Sequence, residues 1–177
     1  MCLNVGANLE ALGAVVDVLK NDEMIYKDRF VDAKTKQHLL RADFGESDTV
    51  QPIDPLKVGV SDYDAVVVSD YDKGFVSPAV ANSITIKCHD ADIPLFVDSK
   101  KKNLECYGHC FIKINEKESA EIQSLNDTAK LIVTLGPRGV EYEGVVYPTQ
   151  ECEVFDVSGA GDTFLAALAH KYLETKK

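Results

Sequence analysis

Val154-Phe155-Asp156-Val157-Ser158-Gly159-Ala160-Gly161-Asp162-Thr163-Phe164 is the stretch from which the rest of this chain is read. A β-branched and aromatic run stops at Asp156, and two glycines then bracket an alanine. Beyond Asp162 the pattern turns helical, with Phe164, Leu165, Leu168, Ala169, Tyr172 and Leu173 recurring at three- and four-residue spacing. A strand, a glycine turn and a helix start aim unused backbone N–H groups and the positive helix end at one point. An anion is held well there, and glycine lets the backbone approach it without a Cβ in the way. Asp162 is then the odd residue, because a carboxylate beside an anion hole repels a phosphate. It makes chemical sense as a base that takes a proton from a nucleophile attacking that phosphate. The plainer reading is an ordinary turn with Asp162 capping the helix. Two other motifs fit poorly: the dinucleotide fingerprint needs a third glycine where Phe164 stands, and a P-loop needs Gly-Lys-Ser/Thr after its glycines.

Working back toward the N-terminus, the other segments read as alternating strands and helices. Residues Cys2 to Leu12 form a helix ended by Gly13, and Ala14 to Leu19 is a short apolar run consistent with a strand. Ile25 to Ala33 and Gln37 to Phe44 make a hairpin around Lys34-Thr35-Lys36, and Gly45 to Pro55 is an acidic, proline-bearing loop. Tyr63 to Ser69 carries Ala65-Val66-Val67-Val68, the continuous apolar run of a strand buried on both faces. Ser77-Pro78 starts a helix reaching about His89, with the serine as cap and the proline in the first turn. Further strands span Pro94 to Val97, Phe111 to Ile114 and Leu131 to Leu135, with a short helix from about Glu116. Gly139 to Val146 and the segment to Val154 form a hairpin that leads into the opening stretch.

This order indicates an α/β fold with a mostly parallel sheet. In such sheets ligands bind beyond the carboxyl ends of the strands. Those ends here deliver Asp70 and Lys73, Asp98 and Lys100, Asn115 and Glu118, Gly136 and Gly139, and Gly159 to Asp162. Polar residues gathered there are poor core material, and together they point to a phosphate-handling site.

Composition narrows the function classes. With 45% hydrophobic and 27% charged residues, 177 residues suffice for one domain with a real core, and we read 1–177 as a single domain. Nineteen Lys+Arg against 29 Asp+Glu give a net charge of -10, which argues against a nonspecific nucleic-acid or anionic-membrane surface. A local nest of N–H groups and a lysine still accommodates a phosphorylated substrate. The 5 cysteines are odd in number and scattered, and no apolar signal segment opens the chain, so a reducing cytoplasm is the expected setting. Cys106, His109 and Cys110 are close together, but no second pair at zinc-finger spacing follows. No apolar run approaches the length of a membrane span.

These residues resemble the ribokinase-like (PfkB) carbohydrate kinases. Asp156 to Thr163 closely resembles the second signature of that family, and Asn4-Val5 to Ala11-Leu12-Gly13 its Asn-Val-Ala-x-Asn-Leu-x-x-Leu-Gly helix. Ser69-Asp70-Tyr71-Asp72-Lys73-Gly74 and Val97-Asp98-Ser99-Lys100 are similar to segments of the heptose-phosphate kinase branch, the kinase half of ADP-heptose synthases. Leu39-Leu40-Arg41-Ala42-Asp43-Phe44 resembles that branch's lid strand. Asn115-Glu116-Lys117-Glu118 fits the Asn-x-x-Glu motif, and Thr134-Leu135-Gly136 with Gly139 fits the nucleotide-side glycines. The match runs in order over nearly the whole chain.

The resemblance implies a ribokinase-like sheet with a small β-hairpin lid at 25–44, and ATP-dependent phosphoryl transfer to a sugar hydroxyl, the sugar being a heptose 7-phosphate-like sugar phosphate. Asp162 would be the base, and the N–H groups of Gly159, Ala160 and Gly161 would stabilise the transferring group. Asn115 and Glu118, one helical turn apart, would orient Mg2+ through waters; a helix cap with a solvated glutamate is the alternative. Gly136, Gly139 and Lys100 would contact the nucleotide, and Arg41, Lys73 and Asn8 the sugar. A lone exposed lysine or an edge-strand arginine has plainer explanations. Compared with the family, segments expected before Cys2, between Val18 and Tyr26, between Ile122 and Lys130 and after Lys177 have no counterpart. The sugar grip and the adenine pocket are therefore expected to be incomplete. Two further readings follow: a nucleotide- or sugar-phosphate-binding remnant without turnover, or a subunit completed by another chain. A homodimer through the lid is expected, and an NAD-binding domain is the weakest alternative.

Overall fold

A computed structural model describes residues 2–21, 26–35, 37–44, 50–150 and 159–176. In chain order these carry α1 (Cys2–Ala11), β1 (Tyr26–Val31), β2 (His38–Phe44), β3 (Val66–Asp70), α2 (Pro78–Asp90), β4 (Leu95–Ser99) and β5 (Asn103–Leu104). There follow β6 (Phe111–Asn115), α3 (Glu116–Ala120), β7 (Ser124–Leu125), β8 (Lys130–Thr134), β9 (Val140–Tyr142), β10 (Val145–Tyr147) and α4 (Ala160–Thr175). The main sheet has the order β10-β9-β8-β6-β4-β3. Its β3, β4, β6 and β8 run parallel, and β9 and β10 close one edge antiparallel. This is the α/β sheet expected, consistent with a ribokinase-like fold.

The side-chain period of two divides each strand between two cores. Val97, Ile112 and Ile114 face α2, packing with Val80, Ala81, Ile84 and Cys88. Phe96 and Phe111 face the other way, onto Val5 of α1 and Leu165, Ala166 and Ala169 of α4. Tyr172 meets both rings edge-on, at 5.5 and 5.1 Å between centroids. Helices thus cover both faces, and β4 is buried along its whole length, as its uninterrupted apolar start requires. Helix α2 begins as its sequence dictates, with Ser77 accepting from the Val80 N–H and proline in the first turn.

Two expectations change, and one pairing is new. Ala14 to Leu19 is not a strand: Val15 is 98% exposed and Leu19 55%, and β3 is the sheet's edge among the described residues. An apolar run becomes a strand only where a neighbour takes its backbone groups. Here the chain turns back on α1 instead, with the Ala14 N–H bonded to the Leu9 carbonyl. The strand read as Tyr63 to Ser69 begins at Val66 and includes Asp70. A two-strand parallel pairing of β5 with β7 was not foreseen, each strand being two residues long. The hairpin of β1 and β2 forms as read, around a turn in which Asp32 accepts from Lys34 and Thr35. The β9–β10 hairpin is present too, β10 ending at Tyr147 with residues 148–150 outside any strand; the rest of the segment to Val154, and the strand entering Asp156, lie outside the described residues.

Candidate active site

Register places the site's charges. Asp98 of β4 lies beside Lys113 of β6, so the two side chains share a face, the one covered by α1 and α4. Their ion pair is 2.7 Å long between groups exposed by only 5% and 6%. One residue further along, Asp70 pairs in register with Ser99 and therefore points to the α2 side. There it accepts from Ser99, Tyr107 and Lys101, at 3.2, 2.7 and 2.7 Å. Asp70, expected among the site groups, is consumed by this buried network and belongs to the scaffold.

Helix α4 starts at Ala160, with Gly159 as its N-cap in the left-handed region at φ 82° and no side chain capping it. Asp162 is therefore inside the first turn and is not the cap. It is 2% exposed and its Oδ2 accepts from the Asn4 amide of α1 at 2.8 Å. The Asn4 amide thus fixes one carboxylate oxygen in place. A Cβ on Gly159 would come within 3.0 Å of the same Asn4 amide, so that amide lies close to both the helix start and Asp162. On Gly161 a Cβ would stand 2.6 Å from the Lys113 amine. A buried ammonium thus lies against the N-terminus of α4, two positive features at one spot, offset by Asp98. Such a place favours an anion.

Asn115 and Glu118 form a reciprocal capping box on α3: the Asn115 side chain accepts from the Glu118 N–H and the Glu118 side chain from the Asn115 N–H. The capping alternative is thus realised, but the glutamate is not solvated. Its second oxygen accepts from Lys100 at 2.5 Å, and Lys100 also reaches Asp98 at 3.2 Å. Burial alone would lower the Lys100 pKa; the Glu118 and Asp98 carboxylates outweigh it and raise it. Tyr71, with Lys100 5.9 Å over its ring, has its pKa raised by burial and by the nearby Asp162, Asp98 and Glu118 carboxylates. The phenol stays protonated across the physiological range.

The donor chemistry of this strip, carboxylate and amide oxygen, is right for magnesium. The occupancy is not. Both Glu118 oxygens, both Asp98 oxygens and the Asn115 oxygen are engaged within the chain, and no group of three His, Cys, Asp or Glu is set to hold a metal among the described residues. The chain as it stands does not fit a resident magnesium ion.

Gly136 and Gly139 flank a 3-10 turn after β8 with φ of 61° and 97°. At Gly139 a Cβ would meet the Tyr147 carbonyl at 2.0 Å, so the hairpin's own backbone demands glycine there. Asn8 accepts from the Thr163 hydroxyl at 3.3 Å, tying α1 to α4 one residue past Asp162. Lys73 is exposed on the turn after β3. Arg41 stands opposite Arg29 in the hairpin, and its side chain lies outside the described part. Sequence reading missed Lys113 and Asn4 as site groups. A lysine inside the apolar run Phe111 to Ile114 was the available signal for the first, since a lysine is almost never buried unpaired.

No family model matches the chain. It is similar to the bifunctional protein HldE of Campylobacter jejuni strain RM1221, 30% identical over 94% of this chain and 46% of that protein. The HldE protein of Nitratiruptor sp. is 30% identical over 80% of this chain and 36% of the relative. That of Trichlorobacter lovleyi is 35% identical over 67% and 29%. The chain spans less than half the length of these curated relatives. The C. jejuni alignment runs to 213 positions, more than the chain's own 177 residues, so the relative carries residues inside the matched stretch that this chain lacks.

Proposed function

Because the chain belongs to the ribokinase-like (PfkB) carbohydrate kinase family, we propose that it transfers the γ-phosphate of ATP to a hydroxyl of a sugar phosphate, with Asp162 as base. The observation that carries this is the first turn of α4: a buried carboxylate held by Asn4, beside a helix start reinforced by the Lys113 ammonium.

Asp162 takes the proton of the acceptor hydroxyl as its oxygen bonds to the γ-phosphorus and the bond to the ADP oxygen breaks. The N–H groups of Gly159, Ala160 and Gly161, with Lys113, face the charge on the transferring group; such fixed donors act strongly because they need no reorganisation. Gly136 and Gly139 are proposed to lie on the nucleotide side. Lys73, Asn8 and Arg41 are proposed to contact the sugar phosphate, with a heptose 7-phosphate the first acceptor to try. The exposed Phe30, Val31, Leu39 and Leu40 of the hairpin suit a lid that closes on substrate or on a second copy. Replacing Asp162 by Asn keeps the shape and removes the base: turnover should fall by at least about 100-fold with an unchanged circular-dichroism spectrum. Unchanged turnover would refute the assignment.

A second reading, a subunit completed by another chain, is favoured by the bared apolar residues Val15 and Leu19, where a family segment has no counterpart. Sedimentation of the purified, fully active chain as a monomer would remove it.

A further inference from the structure

Tyr71, just past the end of β3, is held as firmly as the residues of the strands. Val67 of β3 packs with α1 and α4, and Ser69 lies beside Asp98 in register. Alternation then sets Tyr71 on that same face. The ladder carries on past the strand, because the Lys100 N–H bonds to the Asp70 carbonyl at 2.8 Å. Directly after Tyr71 the chain turns: Asp72 has φ of 54°, and its N–H bonds to the Asp70 carboxylate at 2.9 Å. Asp70 is itself locked among Ser99, Tyr107 and Lys101. The buried network thus grips the backbone on both sides of Tyr71, and the Lys100 ammonium lies 5.9 Å over its ring. A tyrosine with a purely structural task spends its hydroxyl in the core, as the fully buried Tyr107 does on Asp70. Tyr71 is only half-buried.

Its surroundings decide what it can do. Burial, and the Asp162, Asp98 and Glu118 carboxylates around it, hold the phenol proton in place. Tyr71 is therefore a hydrogen-bond donor and no rival to Asp162 as base. The same carboxylates repel a phosphate group, so the part of a ligand that meets the phenol is uncharged and bears hydroxyls. We propose that Tyr71 is a specificity residue for the acceptor: its hydroxyl donates to a sugar hydroxyl neighbouring the one that faces Asp162, while the phosphate of the sugar points away from the three carboxylates. The inference rests on the kinase reading for the identity of the acceptor. Asp70 then has a role at one remove, as the buried anchor of the turn that presents Tyr71.

Calorimetric titration of the nucleotide-free chain with a heptose 7-phosphate tests this without any turnover, with pyrophosphate as the control probe of the α4 start. Tyr71→Phe removes the hydroxyl alone and should weaken heptose 7-phosphate binding about 3–10-fold, the worth of one neutral hydrogen bond. Pyrophosphate binding should not change. Tyr71→Leu, which also removes the ring, should weaken the sugar phosphate at least as much and again spare pyrophosphate. Equal heptose 7-phosphate affinity in wild type and Tyr71→Phe would overturn the assignment. So would a wild type that does not bind the sugar phosphate, or a parallel loss of pyrophosphate affinity in both variants. Adding ATP separates the two proposals. Sugar-phosphate binding that depends on Tyr71, with no ATP consumed, keeps the specificity role and removes the kinase. Turnover by wild type with the same acceptor KM in Tyr71→Phe does the reverse.

Discussion

Asp162 and Gly161 are the residues on which the proposed chemistry rests at the scale of single residues, and they invite different substitutions. Gly161→Ala would push a Cβ into the Lys113 amine, the far end of a flexible side chain that yields easily. Stability should therefore change by less than about 1 kcal/mol, because helix propensity favours alanine. Anion binding should weaken, since Lys113 moves off the helix start. Equilibrium denaturation and a pyrophosphate titration on one variant check both halves; unchanged affinity would show that Lys113 does not serve the anion hole. The glycine pair and the aspartate were legible because each breaks an expected pattern. Asn4 was harder, since its partner is 158 residues away and no local spacing announces such a contact. Glu118 was half legible: its spacing from Asn115 announced a shared face, and the neutralising lysine came from another strand end.

At the scale of elements, parallel strands were found by their apolar runs and helices by caps, because both signals are local. The failure at Ala14 to Leu19 shows the limit: strandhood belongs to a pair, and the described residues supply no neighbour there. Gly139 shows the opposite case, in which a glycine proposed to lie on the nucleotide side also has a local structural cause. Gly139→Ala combines φ of 97° with a collision against the Tyr147 carbonyl. It should destabilise the chain by about 2 kcal/mol or more, seen as a lower denaturant midpoint; a midpoint equal to wild type would mean the β9–β10 hairpin is not held as described. Leu165→Ala, fully buried on α4, should cost about 2–5 kcal/mol through the cavity it leaves.

For the whole molecule, the thiols of Cys88 and Cys110 are buried under the parallel sheet. Burial pushes Cys88 up to about 11 and Cys110 up to about 12, the latter with help from Cys106 and Cys88. From an unfolded value near 9.0, the unfolded chain releases protons that the folded chain retains, so stability is fully present below pH 9 and is lost as pH rises toward 11–12. Each group removes up to about 1.4 kcal/mol per pH unit in that window. Denaturant midpoints should be flat from pH 7 to 8.5 and fall above 9; a rising midpoint would contradict the burial of these thiols. The net charge of -10 means that any binding of phosphate must come from local geometry, which makes the α4 start the feature on which the kinase reading stands.

Phosphorus-31 NMR of the chain with ATP, magnesium and a heptose 7-phosphate tests that reading most directly. ADP and a new sugar phosphate resonance should appear in equal amounts with wild type and be lost with Asp162→Asn. ATP left unchanged, inorganic phosphate in place of the sugar product, or equal product from Asp162→Asn would contradict it.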